Sequence, residues 1–159
     1  TEIIGVDSKS VIHKMIDKLN VPSIFHQFYN FLLSNRRFNL VSVHNVSSAI
    51  EFLLNKNIKS PRNIYIISDD GDVDNNYKNI FNIIRIYMGS STSIFLKFGL
   101  PIYLLEYIFV FFKRHSPPNR IYCNGNILQL GFKPKVSIAQ ATNEILFFTL
   151  KYPKNSIQR

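Results

Sequence analysis

A small α/β domain of mixed helices and strands is the fold class that this sequence predicts, and three observations predict it. Segments whose apolar residues recur three and four positions apart alternate with short runs rich in Ile, Val and Tyr. Gly, Pro, Asn and Asp punctuate the joints between them. The 159 residues are 46% apolar and 14% aromatic, which suits one domain with a buried core, and no repeat or low-complexity linker divides them.

The elements follow in order. Residues 9–19, "KSVIHKMIDKL", put Val11, Ile12, Met15, Ile16 and Leu19 on one helical face. "PSIFHQF" after it reads as a short strand. "NLVSVHNV" is β-branched and reads as a strand ending near Val43, followed at once by a helix. Ile50, Leu53 and Leu54 continue that helix's stripe from Val46, with Asn45 or Ser47 as its cap. "NIYIISD", 63–69, is the clearest strand and ends in the turn signal Asp-Asp-Gly. A helix over 75–88 aligns Tyr77, Ile80, Phe81, Ile84 and Met88, and Gly89 stops it. "RIYC" reads as extended, and "GNILQLGF" as one helical turn ended by Gly131. Ser137 and Gln140 then form a capping box for a last helix, whose inner face is Ile138, Ala141, Ile145, Phe148 and Tyr152.

The formal net charge of +9 asks for an anionic partner, such as a diphosphate ligand, nucleic acid or a membrane surface. The cations are scattered, with small groups at Arg36-Arg37, Lys113-Arg114 and around Lys151, Lys154 and Arg159. No nucleic-acid motif accompanies them, so no nucleic acid is expected. The longest apolar stretch, 93–114, is interrupted by Lys97, Pro101 and Glu106. It reads as a buried or membrane-surface helix rather than a spanning one. The N-terminus does not read as a signal peptide. The single cysteine, Cys123, excludes an internal disulfide and reads as a small buried residue, which fits a cytoplasmic protein. His13, His26, His44 and His115 lack metal-ligand spacing, and Asp69, Asp70 and Asp72 lack the remaining ligands of a calcium loop. A turn plus helix N-terminal charge accounts for those three carboxylates.

One stretch carries more. In "LGFKPKVSIAQATNEILFFTL", Gly131 permits a left-handed backbone, Pro134 forbids helix and Phe132 can staple the turn to the core. Leu130, Gly131, Phe132, Pro134 and Ser137 in this order resemble the C-terminal signature of the extended short-chain dehydrogenase/reductase family, the NAD-dependent sugar epimerases and dehydratases. "NRRFNLVSVHNVSSAIEFLL" resembles that family's central strand and following helix through Arg37, Val41, Val43, Asn45 and Ala49. "NIYIISDD" with "NNYKNIFNIIRIYMG" resembles its next strand and helix. The wording is closest to the branch acting on nucleotide sugars for surface polysaccharides, and the resemblance covers roughly residues 11–150.

Two hallmarks of that family are missing. None of the six glycines makes the Gly-x-x-Gly-x-x-Gly turn that cradles a dinucleotide, and no Tyr-x-x-x-Lys occurs, since Lys78 directly follows Tyr77. The resemblance therefore implies the substrate-binding lobe without the Rossmann half: a fragment or truncated product covering residues 1–159 as one domain. It implies no catalytic residue and no cofactor in this chain, with NAD held by the missing N-terminal half. The expected partners are a nucleotide sugar, a UDP-hexose by this resemblance, and that missing half. Apolar surface left at the docking face predicts a sticky or homodimeric fragment. The expected diphosphate anchors are Arg36 or Arg37, with Arg114 and Arg120 as alternatives for a second cation, and Tyr122 either against the sugar or uracil ring or in the core. The rival reading is a non-catalytic basic module for nucleic acid or a membrane surface.

Overall fold

The computed structural model describes residues 2–6, 10–19, 24–56, 64–89, 99–112 and 117–151. Their elements run β1 (Glu2–Ile4), α1 (Val11–Leu19), α2 (Ile24–Leu33), β2 (Leu40–Ser42), α3 (Val43–Asn55), α4 (Tyr77–Tyr87), α5 (Ile102–Phe111), α6 (Gly125–Gln129) and α7 (Ile138–Lys151). The domain is thus mixed helix and strand, with a small parallel sheet. Glu2 pairs with Leu40, Ile3 with Val41 and Ile4 with Ser42. Parallel strands need a crossover, and α1 and α2 supply it. The Glu2 carboxylate accepts from the Val11 N–H at 2.7 Å, so β1 also caps the helix that follows it.

The main core joins Ile4 and Leu40 of the sheet to Ile12, Met15 and Ile16 of α1, Ile80, Phe81 and Ile84 of α4, and Ile138, Ala141, Ile145 and Leu146 of α7. Helix α4 packs on α7 and α1. A smaller cluster gathers Ala49, Ile127 and Phe132, with Phe52, Leu53, Tyr65 and Ile67 against it. Here the turn before α7 behaves as expected. Gly131 has φ 96, and Phe132 is buried with its ring 5.6 Å from that of Phe52. Ser137 and Gln140 bond reciprocally, the Gln140 N–H to Ser137 Oγ at 3.2 Å and the Ser137 N–H to Gln140 Oε1 at 2.9 Å.

Five expectations are corrected. Residues 24–28 belong to helix α2, not to a strand. Residues 64–69 form no strand, although Ile64 and Ile66 are exposed while Tyr65 and Ile67 are partly buried, the alternation of an extended chain. The edge of β2 that a further strand would take is met by side chains instead. The Asn75 amide accepts from the Leu40 N–H at 3.0 Å and donates to the Leu40 carbonyl at 2.8 Å, and the Asp69 carboxylate accepts from the Ser42 N–H at 2.9 Å. Helix α3 is capped by Ser42, whose hydroxyl accepts from the His44 N–H, not by Asn45 or Ser47. Its buried residues are Asn45, Ser48 and Ala49, whereas Ile50 and Leu54 are exposed. In α7, Phe148 sits at the exposed margin, and Tyr152 lies outside the described residues.

Candidate ligand-binding cleft

The loop between residues 68 and 76 organises the most polar part of the domain. Its sequence, "SDDGDVDNN", is dense in short polar side chains that can bond backbone groups. Three of its four aspartates, Asp69, Asp70 and Asp72, accept hydrogen bonds from distant segments. Asp69 accepts from Ser42 and from Asn45, whose amide nitrogen is 2.9 Å from Asp69 Oδ2. Asp70 accepts from the Asn39 amide at 2.8 Å and from the Tyr122 N–H at 2.7 Å. Asp72 accepts from the Ile138 N–H at 2.8 Å, placing a carboxylate at the N-terminus of α7, where the helix dipole favours it. The expectation of helix N-terminal charge therefore holds for Asp72, but the helix served is α7, 66 residues away.

Asn45 is the buried centre of this arrangement. It is 0% exposed. Its amide nitrogen donates to Asp69 and to the Val136 carbonyl at 2.8 Å, and its oxygen accepts from the Lys135 and Val136 N–H groups at 2.9 and 3.1 Å. One side chain thus ties α3 to the aspartate loop and to the turn before α7. The Asp69 carboxyl is pushed above the usual carboxylate range, first by burial, against the opposing hydrogen bonds from Ser42 and Asn45, with Asp72 and Asp70 adding like-charge repulsion. The folded state then binds the Asp69 proton more tightly than the unfolded chain, so this group's contribution to stability is fully present below 3.8 and is lost as pH rises through the raised value. Stability of the wild type measured against Asp69→Asn should fall across that window, and a flat difference would refute the assignment.

On the outer side of the loop lies a cleft of about 640 Å³, bounded by Arg37, Asp70, Asn75, Asn76, Tyr122 and Asn124 among others. Arg37 is anchored there by three contacts. Its backbone pairs with Asn76, its N–H donates to the Pro118 carbonyl at 3.0 Å, and its guanidinium Nη1 donates to the Asp70 carbonyl at 3.2 Å. Arg120 reaches the Tyr122 hydroxyl at 3.4 Å, and its own carbonyl accepts from Asn39. Asn39, at φ 53, adopts the left-handed backbone that Asn tolerates and so turns its amide toward both Asp70 and Arg120.

The structure therefore brings Arg37 and Tyr122 to one cleft, with Arg120 outside its lining and 3.4 Å from the Tyr122 hydroxyl. It sends Arg36 elsewhere, with its guanidinium 5.6 Å from the Phe109 ring of α5. Arg114 lies outside the described residues. Tyr122 is partly buried at the cleft, not a core residue, and Cys123, expected inside, is exposed on the cleft lining because 121–124 runs as irregular chain. Asp70, Asn75 and Asn124 of the lining, and Asn39, which bonds Asp70, were not singled out from sequence as cleft residues. Only the Asp-Asp-Gly turn marked the region, and a turn signal does not say which segments fold onto it.

Between α3 and α7 a second cleft, of about 580 Å³, is crossed by His44 and Glu144 at 2.8 Å, with Lys135 and Glu51 3.7 Å apart. Both pairs are exposed, and such pairs contribute at most about 1 kcal/mol. Among the described residues no group of three His, Cys, Asp or Glu side chains is placed to hold a metal ion. No protein-family model, curated protein or solved structure matches the chain.

Proposed function

We propose that this chain is the nucleotide-sugar-binding half of an NAD-dependent sugar epimerase/dehydratase, and that the cleft at Arg37 and Tyr122 receives a UDP-hexose. The observation that carries the reading is the convergence of Arg37 and Tyr122 on one cleft, from segments more than 80 residues apart in the chain. A guanidinium held by its backbone and by one carbonyl bond is a pre-oriented cation, and its planar fork matches a diphosphate. The Tyr122 ring offers a face for the uracil or sugar. Asp70 and Asp72 also line the cleft, but their carboxylates accept internal N–H bonds and so act as supports for the walls. In the complete enzyme the hydride acceptor, NAD, and the proton-abstracting tyrosine would come from residues outside this sequence. This half binds and orients.

Titration calorimetry with UDP and UDP-hexoses tests the reading. Arg37→Ala should weaken binding about tenfold or more, the usual size of a lost charge-assisted hydrogen bond to phosphate. Arg36→Ala should leave it within about twofold, because that guanidinium stacks on α5. Equal effects of the two, or no binding at all, would sink the assignment. So would NAD-dependent turnover by the chain alone.

A further inference from the structure

Helix α5 breaks the rule for a surface helix. Its sequence, "IYLLEYIFVF", carries one charge, Glu106. Leu105 is buried, and Ile102 and Phe109 pack on the core. A surface helix normally shows polar residues on its other side. Here Tyr103, Tyr107, Val110 and Phe111 stand 65, 73, 74 and 72% exposed. Their spacing, i, i+4, i+7 and i+8, makes them one stripe along the outer face. Leu104 and the following Phe112 widen it, at 42 and 69% exposed.

We infer that this stripe is a membrane-docking surface, and that its occupant is the interface of a bilayer containing anionic lipid. Three features choose that occupant. The helix has 10 residues and is about 15 Å long, half the roughly 30 Å of a hydrocarbon core, so it lies flat and does not span. No helix among the described residues is long and apolar enough to cross a membrane. Two tyrosines join Val110 and Phe111 on the stripe, and a tyrosine presents an apolar body with a polar tip, the chemistry of the headgroup boundary. The charge is also complementary. Lys113 and Arg114 follow Phe112 at the end of the helix in sequence, and the whole chain carries +9. An anionic surface attracts that charge, whereas a second copy over the same face would oppose +9 with +9. This inference does not rest on what the Arg37 cleft binds, but it assigns the stripe to lipid and not to the missing half that the proposed function calls for.

The test uses the absence of tryptophan from the chain. Phe111→Trp places a single reporter on an exposed position of the stripe. Addition of vesicles of phosphatidylcholine mixed with phosphatidylserine should shift its emission to the blue. In co-sedimentation the wild type should partition at least about tenfold more onto these vesicles than onto phosphatidylcholine alone, and lose that preference in high salt. Tyr107→Asp with Phe111→Asp should abolish partitioning while the far-ultraviolet spectrum stays that of the wild type. No blue shift with anionic vesicles overturns the proposal, as does sedimentation unchanged by the double aspartate variant. A blue shift that appears without lipid and grows with protein concentration also overturns it, in favour of a second copy.

Discussion

Asn45→Leu should destabilise the protein by about 3 kcal/mol or more, because the substitution removes every partner of a buried hub at once. The Val136 carbonyl and the Lys135 and Val136 N–H groups lose their bonds, and the Asp69 carboxylate loses its side-chain donor. Leucine keeps the γ-branched shape of asparagine but is bulkier, so some overpacking adds to the loss of polar satisfaction. For a chain of this length the change corresponds to a fall of roughly 6 to 12 °C in Tm, measurable by calorimetry or by circular dichroism. A loss below about 1 kcal/mol would show that water replaces these bonds without difficulty and that the hub is not structural. The exposed neighbour Ser47 supplies the control, since Ser47→Ala should stay within about 0.5 kcal/mol.

Ile84→Ala should cost about 2 to 5 kcal/mol, the range for emptying a fully buried aliphatic site. Ile84 is 0% exposed on α4, the helix that packs on both α7 and α1, so a cavity there loosens the centre of the main core. Ile86, two positions on, is 71% exposed, and Ile86→Ala should cost less than about 0.5 kcal/mol. Urea unfolding of the two variants side by side reads the difference directly. Equal costs would mean that α4 presents a different face to the core.

These two residues also mark what the sequence makes legible and what it does not. The face of α4 could be read because helical period is a local property, and Tyr77, Ile80, Phe81 and Ile84 are indeed its buried residues. The Gly131–Gln140 turn and cap could be read for the same reason, since every bond involved spans only a few residues. Residues 64–69 have strand composition, but a strand exists only beside a partner, and here the side chains of Asp69 and Asn75 occupy the edge of β2. Asn45 followed a strand and preceded a helix, so it looked like a cap. The strand ends at Ser42, which takes that role and leaves Asn45 inside the first turns. For β1, three residues are too few to show a period. At the cleft, the cations were legible as residue types. Which of Arg36 and Arg37 faces it was not, because that depends on how the chain at 36–37 lies between α5 and the aspartate loop.

The joint between β2 and α3 has no intervening residue: Ser42 ends the strand and caps the helix that begins at Val43. A joint without a loop has no hinge, so strand and helix behave mechanically as one lever. Arg37, at the cleft, stands three residues before this lever, and Lys56 closes its far end. Asn45, bonded to both Asp69 and the turn before α7, fixes the direction in which α3 leaves that joint.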